Sequence, residues 1–347
     1  MMRLLLIGNP DQVHVGAHFY DAARECGMEV RLCDLRTARS ANVWLNRGFW
    51  RLADHRVPFF GRFTESVVET CREFRPEVVM VTGIAPPSAS GIRKMKAAGA
   101  VVCNFLTDDP FNPVHRSRWF AAALREYDLV LTPRRANMDE LRKHTGRPVE
   151  YLPFAYAPAA HFPEADATGA GDAMDVFFAG GADADRVPAM DALIRSGFRV
   201  QLYGGYWDRY RATKAAACGH ASAAQVRRLV SRARVCLCLV RRANRDGHCM
   251  RTFELAAMGG CILAEDTAEH RQIFGQDGER AAFFRTMDEM VEKTAWLIAH
   301  EAERKRMAAS CHSWIMGGAN SYADRLRTIV TAAGLPSTVE VPREALL

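Results

Sequence analysis

The chain opens on a short apolar run, Arg3–Gly8 (RLLLIG), that ends in glycine. Runs of the same kind recur at Met28–Cys33, Glu77–Thr82, Ala100–Thr107, Asp128–Thr132 and Pro148–Leu152. Between them, apolar residues at helical spacing predict helices over Gly16–Gly27, Phe63–Phe74, Ser88–Ala98 and Arg134–His144, the first closing on a glycine cap. Continuous apolar strands that alternate with helices predict a parallel sheet covered on both faces. Ala38–Pro58, which carries Trp44, Phe49 and Trp50, interrupts the alternation and is read as a helix packed over the sheet.

The pattern then changes. Leu152–Asp175 holds three prolines among Ala, Gly and Asp, a linker signature. Alternation resumes with strands expected at Val176–Ala179, Phe198–Tyr203, Val235–Val240, Cys261–Ala264 and Arg280–Phe284. Helices are expected at Asp185–Ser196, Ser222–Arg232, Met250–Met258, Ala268–Phe274, Met287–His300, Ala302–Ser313 and Tyr322–Ala333. The expected division is a first Rossmann-like domain over 1–155, a linker over 156–174 and a second domain over 175–316. A closing helix within 317–335 returns to the first domain, and 336–347 form a tail. Two doubly wound domains facing across a cleft would each take a ligand outside the carboxyl ends of their strands.

Composition narrows the class. With 49% hydrophobic and 25% charged residues over 347 positions, the chain can bury a core, which excludes a disordered or fibrous protein. No stretch approaches the ~20 apolar residues of a membrane span. The opening MMRLLLIG is too short for a signal-peptide core, so a cytoplasmic location with reduced cysteines is expected. The net charge of +6 is too mild for a dedicated nucleic-acid binder. About +5 of it lies in residues 1–160, which directs any anionic partner, whether a glycan or a peripheral membrane contact, to the first half.

The densest chemistry lies in Arg245–Glu265, RDGHCMRTFELAAMGGCILAE. A strand ends in a polar loop, and a helix then opens with Arg251, Thr252 and Glu254 and closes on Gly259–Gly260. A helix start beside an arginine fork suits phosphate, and a carboxylate at Glu254 suits paired ribose hydroxyls. The bland alternative is an Arg251–Glu254 pair that only serves the helix. The run RTFELAAMGGCILAE, with the later GERAAFF and SYADRLRTIV (Tyr322, Arg325), resembles the CgeB-like spore-maturation glycosyltransferases. These are GT-B relatives of glycosyltransferase family 4. Asp246 and Glu254 fall at the acid–seven residues–Glu spacing of family 4, with Asp in place of the first Glu. The resemblance implies a GT-B fold and transfer from a nucleotide-diphosphate sugar, with retention and without a metal. It places Glu254 on the ribose, Arg251 and Thr252 on phosphate, and Asp246 on the sugar. Gly180 and Gly181 would pass under the diphosphate, and Tyr203 and Gly204 would lie near the base. Arg186 is read either as a charge for the leaving diphosphate or as a solvated helix residue.

In the first half, NFLTDDPFNP resembles an Asp-Asp-Pro segment of CgeB-like proteins. Asp108 is a candidate acceptor-side residue and Asp109 a candidate general base, against an Asx turn ahead of Pro110. By the same resemblance the loop GNPDQVHVG faces the donor sugar and acceptor, with Asp11 a candidate acceptor-side residue and His14 a candidate catalytic residue, against a plain surface histidine. The loop lacks GxGxxG, which speaks against a dehydrogenase. The cysteine spacings match no zinc module, so no metal or other cofactor is expected beyond the sugar nucleotide. The acceptor is an unspecified glycan, protein or lipid-linked group. The rival reading is a non-catalytic two-domain protein that binds a nucleotide or sugar.

Overall fold

The computed structural model describes residues 1–164 and 174–335. The expected tail and the middle of the expected linker lie outside them. The chain divides into two compact units. The first comprises Met1–Pro153, Ala243–Arg245 and the chain from Tyr322; the second comprises Phe154–Arg242 and Asp246–Ser321.

In the first unit the elements run β1 (Arg3–Gly8), α1 (Val15–Glu25), β2 (Glu29–Asp34), α2 (Val43–Leu52), α3 (Phe60–Phe74), β3 (Val78–Thr82) and α4 (Ala89–Ala97). They continue through β4 (Val101–Phe105), α5 (Arg118–Leu124), β5 (Leu129–Thr132), α6 (Met138–Thr145) and β6 (Val149–Tyr151). The strands form one wholly parallel sheet in the order β2-β1-β3-β4-β5-β6, so the order reverses between β1 and β3. Leu5, Ile7, Val79, Val81 and Val102 are buried in its core with Phe63, Ile92 and Phe120 from the helices. Burial on both faces explains why the strands read as unbroken apolar runs. Helix α2 corrects the sequence reading of 38–58: the helix forms, but none of its residues is buried, so it does not pack over the sheet.

The second unit runs β7 (Met174–Ala179), α7 (Arg186–Arg195), β8 (Val200–Tyr203), β9 (Ala217–Gly219), α8 (Ala223–Arg232), β10 (Ala233–Cys238) and α9 (Met250–Ala257). Then follow β11 (Ile262–Glu265), α10 (Ala268–Phe274), β12 (Ala282–Phe284), α11 (Met287–Ala299) and α12 (Glu301–Gly317). Its sheet is again parallel, in the order β12-β11-β10-β7-β8-β9, and reverses between β7 and β10. The last helix, α13 (Tyr322–Ala332), belongs to the first unit. There Tyr322 stacks on His18 at 5.1 Å and Arg325 donates to the Pro153 carbonyl at 3.0 Å. The expected linker begins as packed structure, since Tyr156 and His161 are buried and Tyr156 bridges to Ser321.

Two local devices shape the carboxyl edge of the second sheet. In the first, the loops after β7 and β8 are zipped together: Gly180 N–H donates to Tyr203 O at 2.8 Å and Ala182 N–H to Gly205 O at 2.9 Å. Gly204 (φ +130°) lies so close to Gly180 that a Cβ there would overlap the Gly180 carbonyl. In the second, a hydrogen-bond chain anchors the start of α9. Cys249 N–H donates to Thr252 Oγ1 at 3.1 Å, Thr252 Oγ1 meets His270 Nε2 at 3.1 Å, and His270 Nδ1 meets the Glu265 carbonyl at 2.8 Å. A carbonyl only accepts, so the His270 proton sits on Nδ1 and Thr252 donates to Nε2. Burial pushes the His270 pKa down to about 4 and keeps the ring neutral.

Gly204→Ala should destabilise the protein by about 2 kcal/mol or more in urea unfolding, because backbone overlap adds to the cost of its φ. Gly197→Ala, at φ +84° but facing open space, should cost only about 1 kcal/mol; equal costs would overturn the close-packing argument. The His270 ring gives a pH signature. Below 6.5 the unfolded chain takes up a proton that the folded chain refuses down to about pH 4. Stability should therefore fall as pH drops through that window. A His270→Gln variant should show a shallower fall of the urea midpoint, and an identical slope would refute this account.

Candidate functional site

In open parallel sheets, ligands bind outside the carboxyl ends of the strands where the strand order reverses. In the second unit that point lies between β7 and β10, and two arginines stand on it. Arg186, the first residue of α7, is buried. Its Nη1 donates to Gly181 O and its Nη2 to Leu239 O, both at 3.2 Å, so one guanidinium spans the chain just beyond β7 and β10. Its charge centre lies 5.5 Å from the Phe178 ring, and Nε is 3.7 Å from an Asp183 carboxylate oxygen. The reading of Arg186 as a solvated helix residue is thus corrected: its partners are backbone carbonyls at strand ends.

Arg251, in the first turn of α9, donates through Nε to Ala179 O at 3.3 Å and through Nη1 to Glu254. Glu254 is buried, and His161 Nε2 lies 3.8 Å from its Oε1. The His161 Nδ1 accepts from Ala157 N–H at 2.9 Å, so its proton is on Nε2, toward the carboxylate. Burial lowers the His161 pKa, against the opposing pull of Glu254. Glu254 is therefore held between a guanidinium and an imidazole. The helices that follow β7 and β10 begin at this same edge, where their exposed N–H groups add positive potential. Asp246 lies half-buried in the loop leading to α9, with its N–H donating to Arg241 O at 3.3 Å.

Several expected contacts are redirected. Thr252 is fully buried and its hydroxyl is committed to Cys249 N–H and His270, so it faces the core and not a phosphate. The N–H groups of Gly180 and Gly204 donate to Tyr203 O and Gly219 O, so these glycines close the strand ends instead of cradling an anion. Gly181 contributes its carbonyl to Arg186. Tyr203 ends β8, one strand from β7, and its hydroxyl donates to Gln201 Oε1 at 3.3 Å.

The first unit changes the role of the Asp-Asp-Pro segment. Asp109 does accept from Phe111 N–H at 3.2 Å in an Asx turn, but it is buried and paired with Arg245 at 2.6 Å. A carboxylate closed off in this way does not fit a general base, which corrects that expectation. Arg245 has φ +55° and also reaches Glu140 at 2.9 Å. Asn244 completes the cluster: its amide oxygen accepts from Asn112 at 2.9 Å and its nitrogen donates to Asp108 at 3.0 Å. In the loop after β1, Asp11 and His14 are exposed, and Asp11 pairs with Arg36 at 2.8 Å. Desolvation lowers the His14 pKa, helped by Arg36 and Arg39 and opposed by Asp11. Gly16 fits this loop because a Cβ there would sit 2.7 Å from Asn9 O.

Three residues of the second unit, His161, Glu269 and His270, went unremarked in the sequence. His161 sits in a stretch that reads as linker. Glu269 lies on α10 and meets His248 Nδ1 at 2.6 Å, while His248 Nε2 accepts from Phe154 N–H at 3.2 Å. His270 and Cys249 brace α9, and Cys249 Sγ lies 3.6 Å from Cys238 Sγ. The thiol contact with Cys238 leads in lowering the Cys249 pKa to about 7, and Arg186 adds to it. Thr252 Oγ1 lies between these groups, 3.5 Å from Cys238 Sγ, and makes them one hydrogen-bonded core. All ten cysteines are free thiols.

Residues 186–331 match the protein family described as glycosyl transferase-like. No curated protein sequence matches the chain significantly. Among solved structures, sucrose-phosphate synthase from Thermosynechococcus elongatus is similar at 12% identity and a TM-score of 0.67, over 96% of this chain and 99% of that one. The T4 phage protein BGT in complex with its UDP-glucose substrate is similar at 13% identity and a TM-score of 0.61, over 96% and 100% of the two chains. Anabaena HepE in complex with UDP and glucose gives 11% identity and a TM-score of 0.63 over the same shares. At these identities the likeness is one of fold, and the chain has the two-sheet α/β fold of GT-B glycosyltransferase structures.

Proposed function

We propose that this protein is a glycosyltransferase that moves a sugar from a nucleoside-diphosphate sugar, uridine diphosphate being the first candidate, to an acceptor hydroxyl. The observation that carries the reading is the pair of guanidinium groups, Arg186 and Arg251, tied to strand-end carbonyls at the reversal point of the second sheet with Glu254 alongside. The match of residues 186–331 to a glycosyl transferase-like family and the UDP and UDP-glucose held by similar structures support it.

In the proposed reaction the bond between the anomeric carbon and the diphosphate oxygen breaks, and the acceptor oxygen bonds to that carbon. The diphosphate leaves with the bonding electrons. Arg186 and Arg251 stabilise its growing charge from fixed positions, where no reorganisation is needed during the step. Glu254 accepts the ribose hydroxyls once Arg251 turns toward phosphate. Asp246 orients the sugar, and the resemblance of the Asp246–Glu254 pair to the family 4 pattern favours retention of configuration. On the acceptor side, the lowered pKa of His14 keeps it neutral near pH 7 and able to take the hydroxyl proton. Asp108 and Asp109 shape the unit through Asn244 and Arg245, and Asp109 is assigned no proton. The charge the leaving group requires comes from the protein itself, so transfer is proposed to proceed without a divalent ion. A catalytically silent nucleotide- or sugar-binding protein is the second reading, favoured by the locked state of Asp109.

Calorimetry with UDP tests the donor site. Arg251→Ala and Glu254→Ala should each weaken binding by roughly tenfold or more, about 1.4 kcal/mol. Wild-type affinity in folded Glu254→Ala protein would remove that residue from the site. Incubation with sugar nucleotides and a chelator should still release UDP; retained binding without any turnover would favour the silent reading.

A further inference from the structure

Among the described α-helices, α2 alone has no buried residue, yet it is far from polar. Around its axis Trp44, Gly48, Leu52, Leu45 and Phe49 occupy one arc of about 140°. Trp44 is 75% exposed and Leu52 90%, so the outer part of this arc is open to solvent. Arg51 and Arg47 border it on one side, and the Arg47 guanidinium lies 5.0 Å above the Trp44 ring. Leu35–Ala53 contains four arginines and no acidic residue. The helix is capped by Asn42, whose side chain accepts from Trp44 N–H at 2.9 Å, and its Phe49 and Trp50 are only half-buried.

Apolar side chains are exposed here at a cost to solubility, and the charge beside them has one sign. A second copy of the chain paired through this same face is a poor occupant, since it would bring four more arginines and no acidic residue to the contact. A surface that is apolar beneath and anionic at its rim meets both requirements. We propose that α2 is a membrane-docking helix that lies in the plane of an anionic lipid surface. Trp44, Leu45 and Leu52 enter the acyl boundary, and Arg47 and Arg51 sit among the phosphate headgroups. The docking is peripheral, and among the described residues no helix is long and apolar enough to cross a membrane. It stands apart from the transfer reading and would hold for a protein with no catalytic activity. Joined to that reading, it makes a membrane-borne acceptor the natural substrate of the first unit.

Flotation of the full chain with lipid vesicles tests the proposal. The protein should float with vesicles of phosphatidylcholine mixed with phosphatidylglycerol, and not with phosphatidylcholine alone, and added salt should release it. The double variant Trp44→Glu/Leu52→Glu should keep the wild-type melting temperature, because neither side chain is buried, and should lose roughly tenfold or more of the bound fraction. The charge-reversal variant Arg47→Glu/Arg51→Glu should lose binding to the same vesicles without change to the apolar arc. Trp296→Glu, an exposed tryptophan on α11, should bind as wild type. Three outcomes overturn the proposal: no flotation of wild type at low salt, flotation undiminished in both α2 variants, or a dimer in sedimentation that the Trp44→Glu/Leu52→Glu variant dissociates.

Discussion

A parallel strand ends on carbonyl groups that its ladder cannot fully satisfy, and the rest of the second unit follows from how these carbonyls find donors. Where the order reverses, the pairing of β7 with β10 ends at Phe177 and Cys236, short of the Ala179, Gly181 and Leu239 carbonyls, which need other donors. Arg186 and Arg251 supply them through guanidinium groups that reach Ala179, Gly181 and Leu239. A neutral donor would satisfy the same carbonyls, but arginine also leaves a permanent positive charge at the place where ligands of such sheets bind. Asp183 and Glu254 stand beside that charge and partly balance it. The structural need and the proposed chemistry therefore use the same two side chains.

The strands were legible because burial on both faces forces an unbroken apolar run, which is readable without knowing the partners. The edge strand β2 fails this condition and was still readable, but the shortest elements were missed. Strand β9 is the three-residue ACG at a sheet edge, partly exposed, and α5 is a seven-residue helix whose Trp119 and Phe120 are too few to show a period. Helix α2 was visible as a helix but misplaced, since its apolar residues announce a partner without saying which.

Site residues were harder to read for a different reason. The spacing of Arg251 and Glu254 is local, one helical turn, and their pairing could be anticipated. The partner of Asp109 is Arg245, 136 positions away, and Arg186 reaches the carbonyl of Leu239, 53 positions away. No local pattern encodes such pairings, so a buried, committed group looks the same in sequence as a solvated or reactive one. The Asn244 amide, fixed between Asn112 and Asp108, belongs to the same class.

The glycine zipper after β7 and β8 bears on how this protein can diversify. Loops at strand ends ordinarily absorb insertions and deletions, and enzymes of one fold acquire new ligands by changing them. Here the two loops share hydrogen bonds residue for residue, and the Gly204 backbone rests on that of Gly180, so an insertion in one would strip the other of its partners. Altered ligand choice in descendants of this chain would then arise by side-chain replacement around a fixed backbone, with length variation diverted to other parts of the molecule.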